Sequence, residues 1–351
     1  MPTVRFSTYR NRIMEKRVPF IAMFDITHRC NLDCVHCYVR SDGEDYKNKE
    51  LDLEEICDML QQVSKAGVIH LRLTGGEPLL RPDFKEIYLY AKKKNLAVTI
   101  LTNATLITED MVNFFEKHPP SMLAISSYGL TAQTYEEITR VKGSFKCFQK
   151  AIRLLKKTRI RYIVKSVIMK TNYKEAKDME RIAGAIEAYS FYSYYLVPRR
   201  DGDIAKNMLI NQQRLAPEEI KTLFNSNRKA KAFKVDGSSR KDRIEECGAG
   251  RIGFYIDPYG KFNICAFING PNIDLKKVRF IDAWKSYKMD RTPLMKKKIA
   301  CGDCESSFSC MWCPGLAYLE TGSTEKSIPY LCRITDAVNK ERETQKCSVL
   351  N

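Results

Sequence analysis

The strongest constraint on the fold is a regular alternation of short apolar runs and amphipathic segments. Six runs are rich in branched and aromatic residues and are short enough to be buried strands. They cover residues 18–26, 68–73, 97–101, 122–126, 161–169 and 190–197. Between them, apolar residues recur at helical spacing over 53–66, 84–94, 109–117, 131–140, 145–157 and 173–187. This alternation predicts a parallel sheet with crossover helices.

Six strands are too few for a closed eight-stranded barrel. We therefore predict an α/β fold built on a partial (β/α)6 TIM-type barrel, with its chemistry at the carboxyl ends of the strands. Composition then divides the chain. We predict a barrel domain over 1–200, a polar linker over 201–245 with a helix at 217–225, and a small cysteine-rich domain over 246–351 that ends in a helix.

Charge and hydropathy narrow the class of protein. The 351-residue chain has a formal net charge of +17. Such a charge is compatible with nucleic-acid binding, but the lysines are spread along the chain, which favours a lysine-rich surface suited to an acidic peptide. No apolar run is long enough for a membrane span, and residues 1–17 lack the apolar core of a signal peptide. We expect a cytoplasmic protein with no membrane partner.

The cysteines are grouped, which indicates their use. Of the thirteen, three lie between residues 30 and 37 and seven between 247 and 332. In a reducing compartment disulfides are rare, so clustered thiols indicate metal ligands.

The first group, Cys30, Cys34 and Cys37, has the spacing Cys-x3-Cys-x2-Cys directly after the first predicted strand. Three thiolates can hold three irons of a cubane cluster and leave the fourth iron open to bind a small molecule. The alternative is a structural zinc site completed by His28 or His36.

This triad resembles the signature of the radical S-adenosylmethionine (SAM) superfamily, and the resemblance extends over residues 18–200. It implies a [4Fe–4S] cluster whose open iron binds SAM. It also implies reductive cleavage of SAM to a 5′-deoxyadenosyl radical, which abstracts a substrate hydrogen. The family has an aromatic residue near the third cysteine that lies close to the adenine, and Tyr38 is the candidate here.

Further motifs follow the next predicted strands. In the sequence Gly75-Gly76-Glu77, the glycines permit close approach of the backbone to a ligand, and the carboxylate can receive an ammonium group. The segment resembles the motif that binds the SAM amino group.

Three other positions carry the resemblance. Ser126 begins a stretch similar to the family's Ser-x-x-Gly, which implies contact with the SAM carboxylate. Arg140 stands where relatives have an arginine that pairs with the same carboxylate. Asn103, at the end of the third strand, is the candidate for the ribose.

The second cysteine group follows the pattern Cys-x12-Gly-x4-Cys, a gap, Cys-x2-Cys-x5-Cys-x2-Cys, a gap, and Cys. Spacing alone does not separate zinc from iron. The pattern resembles the SPASM auxiliary-cluster domain, except that the fourth interval has two residues instead of three. The resemblance implies two auxiliary [4Fe–4S] clusters, three in all. It assigns Cys301, Cys304, Cys310 and Cys332 to the outer cluster, and Cys247, Cys265 and Cys313 to the inner one.

SPASM-containing relatives commonly modify ribosomally synthesised peptides. The resemblance therefore implies a peptide maturase that forms a thioether or carbon–carbon crosslink in a peptide, or that oxidises or epimerises residues of it. Ala266 stands where sulfatase-maturing relatives have a basic aspartate, which counts against that activity. The first strand begins near residue 20, so we expect that a leader would be recognised by a separate leader-binding protein or by a different surface of this chain. An external flavodoxin or ferredoxin would supply electrons, and no nucleic-acid partner is expected.

Two alternatives remain open. One is a radical SAM dehydrogenase or epimerase for a small molecule, such as a sugar or amino-acid derivative. The other is a zinc-stabilised RNA-binding protein. The sequence identifies no catalytic acid or base.

Overall fold

The computed structural model describes residues 12–39, 50–185, 189–224, 247–268, 270–287, 301, 304, 306 and 310–349. The strands are β1 (Ile21–Thr27), β2 (His70–Gly75), β3 (Ala97–Thr102), β4 (Met122–Ser127), β5 (Tyr162–Val167), β6 (Tyr189–Ser193), β7 (Gly253–Ile256), β8 (Lys261–Asn263) and β9 (Pro271–Asp274). The main helices are α1 (Leu53–Lys65), α2 (Phe84–Lys93), α3 (Glu109–Lys117), α4 (Ala132–Thr139), α5 (Ser144–Leu155), α6 (Ala176–Ala185), α7 (Ile204–Gln212), α8 (Pro217–Phe224), α9 (Phe280–Ser286), α10 (Pro314–Thr321) and α11 (Pro329–Val349).

These strands form one sheet in the order β6-β5-β4-β3-β2-β1-β7-β8-β9. From β1 to β6 each strand pairs in parallel with the next one along the chain. Parallel neighbours need crossover connections, and helices α1 to α6 lie in those connections. The predicted α/β architecture, an open partial barrel of six parallel strands, is confirmed.

The sheet buries one face against the helices. On β1, Ala22, Phe24 and Ile26 belong to the main core, together with Ile56 of α1 and Phe148 of α5. Alternate residues of a strand point to opposite sides, so the residues between these apolar ones lie on the other side, which we call the inner face. Local sequence signals also mark where the helices begin. For example, Asp52 caps α1 through a reciprocal hydrogen-bonded pair with Glu55.

The C-terminal part of the chain continues the same sheet. Strand β7 pairs in parallel with β1, and β8 and β9 extend the edge as antiparallel strands. The sequence did not predict these strands, because they have only three or four residues each. Helix α8 was predicted over nearly these residues, whereas α7 was missed. Among the described helices, none is long and apolar enough to cross a membrane.

A second core joins the last helices to the barrel. It contains Tyr195, Ile220 of α8, Trp312 and Ile334 of α11. At its border the buried Arg214 guanidinium pairs with Glu320 and lies over the rings of Tyr195 and Tyr330, at 5.3 Å and 4.8 Å.

Candidate active site

The loop that carries Cys30, Cys34 and Cys37 begins where β1 ends, and one carboxylate organises its first residues. Glu50 accepts hydrogen bonds from the Thr27 hydroxyl at 2.8 Å, from the His28 backbone N–H at 2.8 Å and from the Arg29 guanidinium at 3.2 Å. The Glu50 side chain is only 4% exposed. Sequence reasoning missed Glu50, because it follows a polar stretch and has no motif around it.

The rest of the loop is docked by its backbone. The Asp33 and Val35 amides donate to carbonyls in the last turn of α4, those of Thr139 at 2.9 Å and Ile138 at 3.0 Å. On the other side the Glu77 amide donates to the Arg29 carbonyl at 2.9 Å. The loop is therefore held between the ends of β1 and β2 and the end of α4, which fixes where its thiols lie.

The three thiols of this loop lie close enough to influence one another. Burial raises the pKa of Cys30 to about 11, and the charges of Glu77 and Cys37 act in the same direction. Burial also raises the pKa of Cys34, with Cys37 and Cys30 adding to the effect. Desolvated thiolates that repel one another need a cationic centre to be stable as anions, and cluster iron is such a centre.

Glu77 is fully buried, and both of its carboxylate oxygens accept hydrogen bonds. The Leu79 amide at 3.1 Å and the Thr102 hydroxyl at 2.8 Å donate to one oxygen, and the Asn103 amide at 2.7 Å donates to the other. Burial raises the pKa of Glu77 to about 7, against the opposing effect of these bonds. The carboxylate thus ties the end of β2 to the end of β3, a role additional to the one predicted for it.

The two glycines before Glu77 make room for the chain's own backbone. A Cβ on Gly75 would collide with the Thr27 carbonyl, and one on Gly76 would collide with the Arg29 carbonyl and lie 2.6 Å from that of His28. Gly75 also has a φ of 135°, which favours glycine. Here the close approach is between the end of β2 and the start of the cysteine loop.

Asn103 braces the cysteine loop from the end of β3. Its amide group donates to Asn31 at 2.9 Å and lies 3.9 Å from the Cys30 sulfur, while its oxygen accepts from the Thr105 hydroxyl at 2.6 Å. The predicted ribose contact therefore falls on a side chain that already positions the loop.

The two residues predicted to meet the SAM carboxylate lie at different exposures. Ser126 is half-buried at the end of β4, in polar contact with the phenol of Tyr128, which also reaches the Cys34 thiol. Arg140 is exposed and ends α4 with a left-handed φ of 56°. It follows Thr139, whose carbonyl receives the cysteine loop, so Arg140 is adjacent to that loop in space.

Two aromatic side chains flank the third cysteine. The half-buried His36 ring lies 4.9 Å from the ring of Tyr128, and desolvation lowers the pKa of His36 to about 4. Tyr38 packs its ring 5.7 Å from that of Phe267, and its carbonyl accepts from the Arg200 amide at 3.0 Å. Tyr38 thus lies between the cysteine loop and the C-terminal part of the chain.

The second cysteine group falls into two sets in space. Burial raises the pKa of Cys265 to about 11 and that of Cys313 to about 12, and in each case neighbouring thiols contribute. The inner set is Cys247, Cys265 and Cys313. The pKa of Cys332 is raised by burial and then by the other three thiols of the outer set, Cys301, Cys310 and Cys304. The assignment of these two sets to two auxiliary clusters stays a prediction.

The donor chemistry of these sulfurs suits iron–sulfur clusters. The sulfurs of Cys30, Cys265 and Cys313 each accept a backbone N–H at 3.4 Å, from Leu32, Phe267 and Leu316 respectively. Such bonds stabilise cluster thiolates, and Cys313 lies in addition at the N-terminus of α10. Within the described parts of the chain, no three His, Cys, Asp or Glu side chains converge on one ion. Cluster ligands each bind a different iron and stand farther apart.

A buried ionisable network lies between the two cysteine regions. The Tyr255 hydroxyl donates to Asp25 at 2.6 Å and accepts from Arg200 at 2.6 Å. The Arg200 guanidinium also lies 4.4 Å from the Tyr255 ring, and His28 is 3.4 Å from Asp25. These residues connect β1, β7 and the segment after β6. Of these residues, sequence reasoning named only His28, as a possible ligand of a zinc site.

Comparison with known proteins assigns part of the chain to a family. Residues 24–186 match the model of the Radical SAM superfamily. Over 335 residues the chain is 24% identical to the AdoMet-dependent heme synthase of Methanosarcina barkeri. The alignment covers 89% of this chain and 96% of that protein. AdoMet is another abbreviation of S-adenosylmethionine.

A second relative is named for the biosynthesis of a bacteriocin. Over 262 residues the chain is 29% identical to the antilisterial bacteriocin subtilosin biosynthesis protein AlbA of Bacillus subtilis. The alignment covers 71% of this chain and 55% of AlbA. Among solved structures, native anSMEcpe with bound AdoMet and Cp18Cys peptide superposes with a TM-score of 0.66 at 16% identity. The match covers 94% of this chain and 98% of that one, and it shows a shared fold.

Proposed function

We propose that this chain, whose residues 24–186 match the Radical SAM superfamily, uses SAM to generate a radical that modifies a ribosomally synthesised peptide. The observation that carries the proposal is the docked cysteine loop. Cys30, Cys34 and Cys37 lie together at the carboxyl edge of the parallel sheet, where α/β folds hold their ligands.

In this proposal the three thiolates of the loop bind a [4Fe–4S] cluster and leave one iron open. When bound, the cluster supplies the electron that cleaves the C–S bond of SAM. The chain's part is to hold the thiols in place. Glu50 and the end of α4 fix the loop, and the N–H bond to the Cys30 sulfur stabilises its anionic form.

The remaining residues would position SAM. Gly75, Gly76 and Glu77 are proposed to face its amino group, with the Glu77 carboxyl held at the strand end by its bond to Asn103. Ser126 and Arg140 would receive its carboxylate, Asn103 would lie at the ribose, and Tyr38 would pack near the adenine.

We propose that the two C-terminal thiol sets bind auxiliary [4Fe–4S] clusters, the outer one with four cysteines and the inner one with three. Tyr38 interacts electrostatically with Cys37 and with Cys265, so it lies between the first cluster site and the inner auxiliary site. That placement supports electron transfer between the two regions. In this proposal an external flavodoxin or ferredoxin donates the electrons, and a separate protein binds the leader of the peptide.

Peptide modification is supported by the relative AlbA, named for biosynthesis of the bacteriocin subtilosin. The second candidate is modification of a small molecule. It is favoured by the AdoMet-dependent heme synthase match, which extends over nearly the whole of that protein.

The test is anaerobic purification with iron and sulfide analysis, followed by reduction with dithionite in the presence of SAM. We expect about twelve irons per chain for three cubane clusters, and formation of 5′-deoxyadenosine. Mass spectrometry that follows the modification of short peptides encoded by neighbouring genes, and separately the formation of heme from added porphyrins, then distinguishes the two candidates. Tightly bound zinc without 5′-deoxyadenosine would overturn the radical function altogether.

A further inference from the structure

One helix of the barrel carries a row of cations that no contact within the chain uses. The row follows one exposed side of α5 at helical spacing and continues just past its end, with the members Lys146, Lys150, Arg153 and Lys157. Across the parts of the chain that the structure describes, none of these side chains forms an ion pair or a hydrogen bond. We call this row the α5 stripe.

The sequence around the α5 stripe has only one sign of charge. Residues 138–174 contain twelve lysines and arginines and no aspartate or glutamate, and this is the longest stretch of the chain without an acidic residue. Unbalanced charge on one surface attracts a partner of the opposite sign and steers its approach. The stripe is therefore suited to an acidic partner.

An apolar recess lies beside the stripe. A cavity of about 270 Å³ separates part of α5 from α6, and Phe145, Phe148 and Met179 are among the residues that line it. On their other side, the rings of Phe145 and Phe148 lie 5.5 Å and 5.1 Å from the ring of Tyr135 on α4. Aromatic side chains thus connect the surface at α5 with the buried side of α4.

This row of rings continues to the cysteine loop. The Tyr135 ring lies 5.7 Å from the ring of Tyr128, which in turn lies 4.9 Å from the ring of His36. His36 is the immediate neighbour of Cys37. Packed rings therefore lead without a break from the cavity beside the stripe to the loop that carries the first three thiols.

Hydrogen bonds follow the same path. The Thr139 carbonyl, in the last turn of α4, accepts from the Asp33 amide of the cysteine loop at 2.9 Å. The Thr139 hydroxyl forms a 2.8 Å hydrogen bond with the hydroxyl of Ser144, the first residue of α5. The start of α5 is thus separated from the cysteine loop by the end of α4 alone.

The position of α5 favours an electron donor over a peptide substrate as the partner. Phe148 belongs to the core on the helix side of the sheet, so β4 and β5 lie between α5 and the inner face. A substrate has to reach the radical, which is expected within the barrel. A donor needs only to come near the cluster, because electron transfer weakens steeply with distance through packed atoms.

We propose that the α5 stripe docks a small acidic electron-donor protein of the flavodoxin or ferredoxin class, which delivers an electron to the cluster site from this side of the barrel. This inference rests on the proposed radical function. In the step the reduced donor loses one electron, the cluster that the cysteine loop would hold gains it, and no covalent bond forms or breaks. Redox partners commonly use small interfaces, and complementary charge sets their rate of association.

The test uses the full, cluster-loaded chain and two purified probes, a bacterial flavodoxin and a bacterial ferredoxin. The stripe variant is Lys146→Gln/Lys150→Gln/Lys157→Gln. The matched control, Lys65→Gln/Lys276→Gln/Lys277→Gln, removes three exposed charges elsewhere on the chain. At low salt, calorimetry should show that the stripe variant binds the tighter of the two probes about tenfold more weakly than wild type does, while the control stays within about twofold.

Formation of 5′-deoxyadenosine then separates docking from cluster assembly. With the reduced probe as the only electron source, the stripe variant should form it about tenfold more slowly than wild type. With dithionite, a small reductant that needs no docking surface, the two should be equal. Raising the salt to about 200 mM should narrow the difference in probe binding, because salt screens exposed charges.

Equal weakening in both triple variants would assign the effect to net charge and overturn the proposal. So would wild-type affinity in the stripe variant, or the failure of both probes to bind the wild type. Loss of dithionite-driven turnover in the stripe variant would show that these lysines support the cysteine loop and not a donor.

If the substitutions weaken only the binding of a peptide encoded by neighbouring genes, the stripe binds a leader and the proposal fails. In each of these cases, formation of 5′-deoxyadenosine by the wild type with dithionite leaves the proposed radical function standing. Its absence would instead remove the proposed function itself.

Discussion

Tyr255 donates a 2.6 Å hydrogen bond to the carboxylate of Asp25 and so joins β7 to β1, across 230 residues of sequence. Both side chains are almost fully buried. A buried carboxylate that loses a donor retains its desolvation cost. This bond is therefore a structural link between the barrel and the C-terminal part of the chain.

Tyr255→Phe should lower the free energy of unfolding by about 1–3 kcal/mol, because it leaves one oxygen of Asp25 without its strongest donor. Chemical denaturation measures the change. Tyr162→Phe is the matched control, since Tyr162 is half-buried on β5 and makes no hydrogen bond within the described residues. An equal effect of the two changes would show that the bond to Asp25 contributes nothing.

Gly76→Ala should prevent proper docking of the cysteine loop, because the added methyl group collides with the carbonyl of Arg29. We expect most of the iron of the first cluster to be lost, together with at least a tenfold reduction in 5′-deoxyadenosine formation. Gly253→Ala is the control: it lies on β7, where a Cβ meets only ordinary contacts of 3.5 Å or more. If Gly76→Ala retains normal iron content, the loop does not need this close approach.

Replacing Cys34 by Ala should abolish 5′-deoxyadenosine formation, because two thiolates cannot hold the cluster with its open iron. Iron analysis should show the loss of about four irons per chain. Cys147→Ala, an exposed cysteine on α5, should change neither quantity. Retained turnover in the Cys34 variant would place the radical chemistry elsewhere.

Arg214→Ala should destabilise the packing of α10 and α11 against the barrel by about 3–5 kcal/mol, because the largely buried Glu320 carboxylate would lose its cation and keep the Tyr195 hydroxyl as a neutral donor. The Arg214 and Glu320 side chains are only 9% and 15% exposed. The control is Arg181→Ala, which breaks a pair with Asp178 whose side chains are 76% and 61% exposed and should cost less than about 1 kcal/mol. Similar costs for both variants, measured by denaturant unfolding, would contradict the assignment.

Glu77 should make stability depend on pH in one direction. Its folded pKa is raised to about 7 from the usual 4.5, so the folded chain binds more protons than the unfolded chain between these values. Stability linked to Glu77 is thus fully present below pH 4.5 and is lost as the pH rises through 7, by about 3 kcal/mol.

In the Glu77→Gln variant the side chain cannot ionise, so its stability should not depend on pH in this way. Between pH 4.5 and 8 the wild type should therefore lose up to about 3 kcal/mol of unfolding free energy relative to the variant. The exposed Glu116→Gln should show no such trend. A pH-independent difference for Glu77→Gln would mean that burial does not hold this carboxyl in its protonated form.

Local patterns predicted most of the barrel, and the reason is visible in its elements. Helix α3 begins and ends where the sequence predicted, because Thr108 caps it and the apolar Val112 and Phe115 recur at helical spacing. The short β7 to β9 strands have no such local signal. They form because β1 has an open edge with which β7 can pair. This pairing depends on the tertiary structure and leaves no pattern in the local sequence.

The candidate site divides in the same way. The cysteine motifs were visible because each spacing is itself the signal. Glu50 and Arg200 were not, since their roles come from partners that lie far away in the sequence, at Thr27 and Tyr255. The predicted Asn103 and Glu77 carry structural bonds that no motif shows.

The pairing of β7 with β1 has a consequence for how the chain is made. While residues 28–252 emerge from a ribosome, β1 can pair with β2 but its other edge has no partner until Gly253 and the residues after it are available. An unpaired strand edge invites association with other chains. A truncated or slowly completed chain should therefore aggregate through β1, and the C-terminal part would act as the cover for that edge before it serves any chemistry.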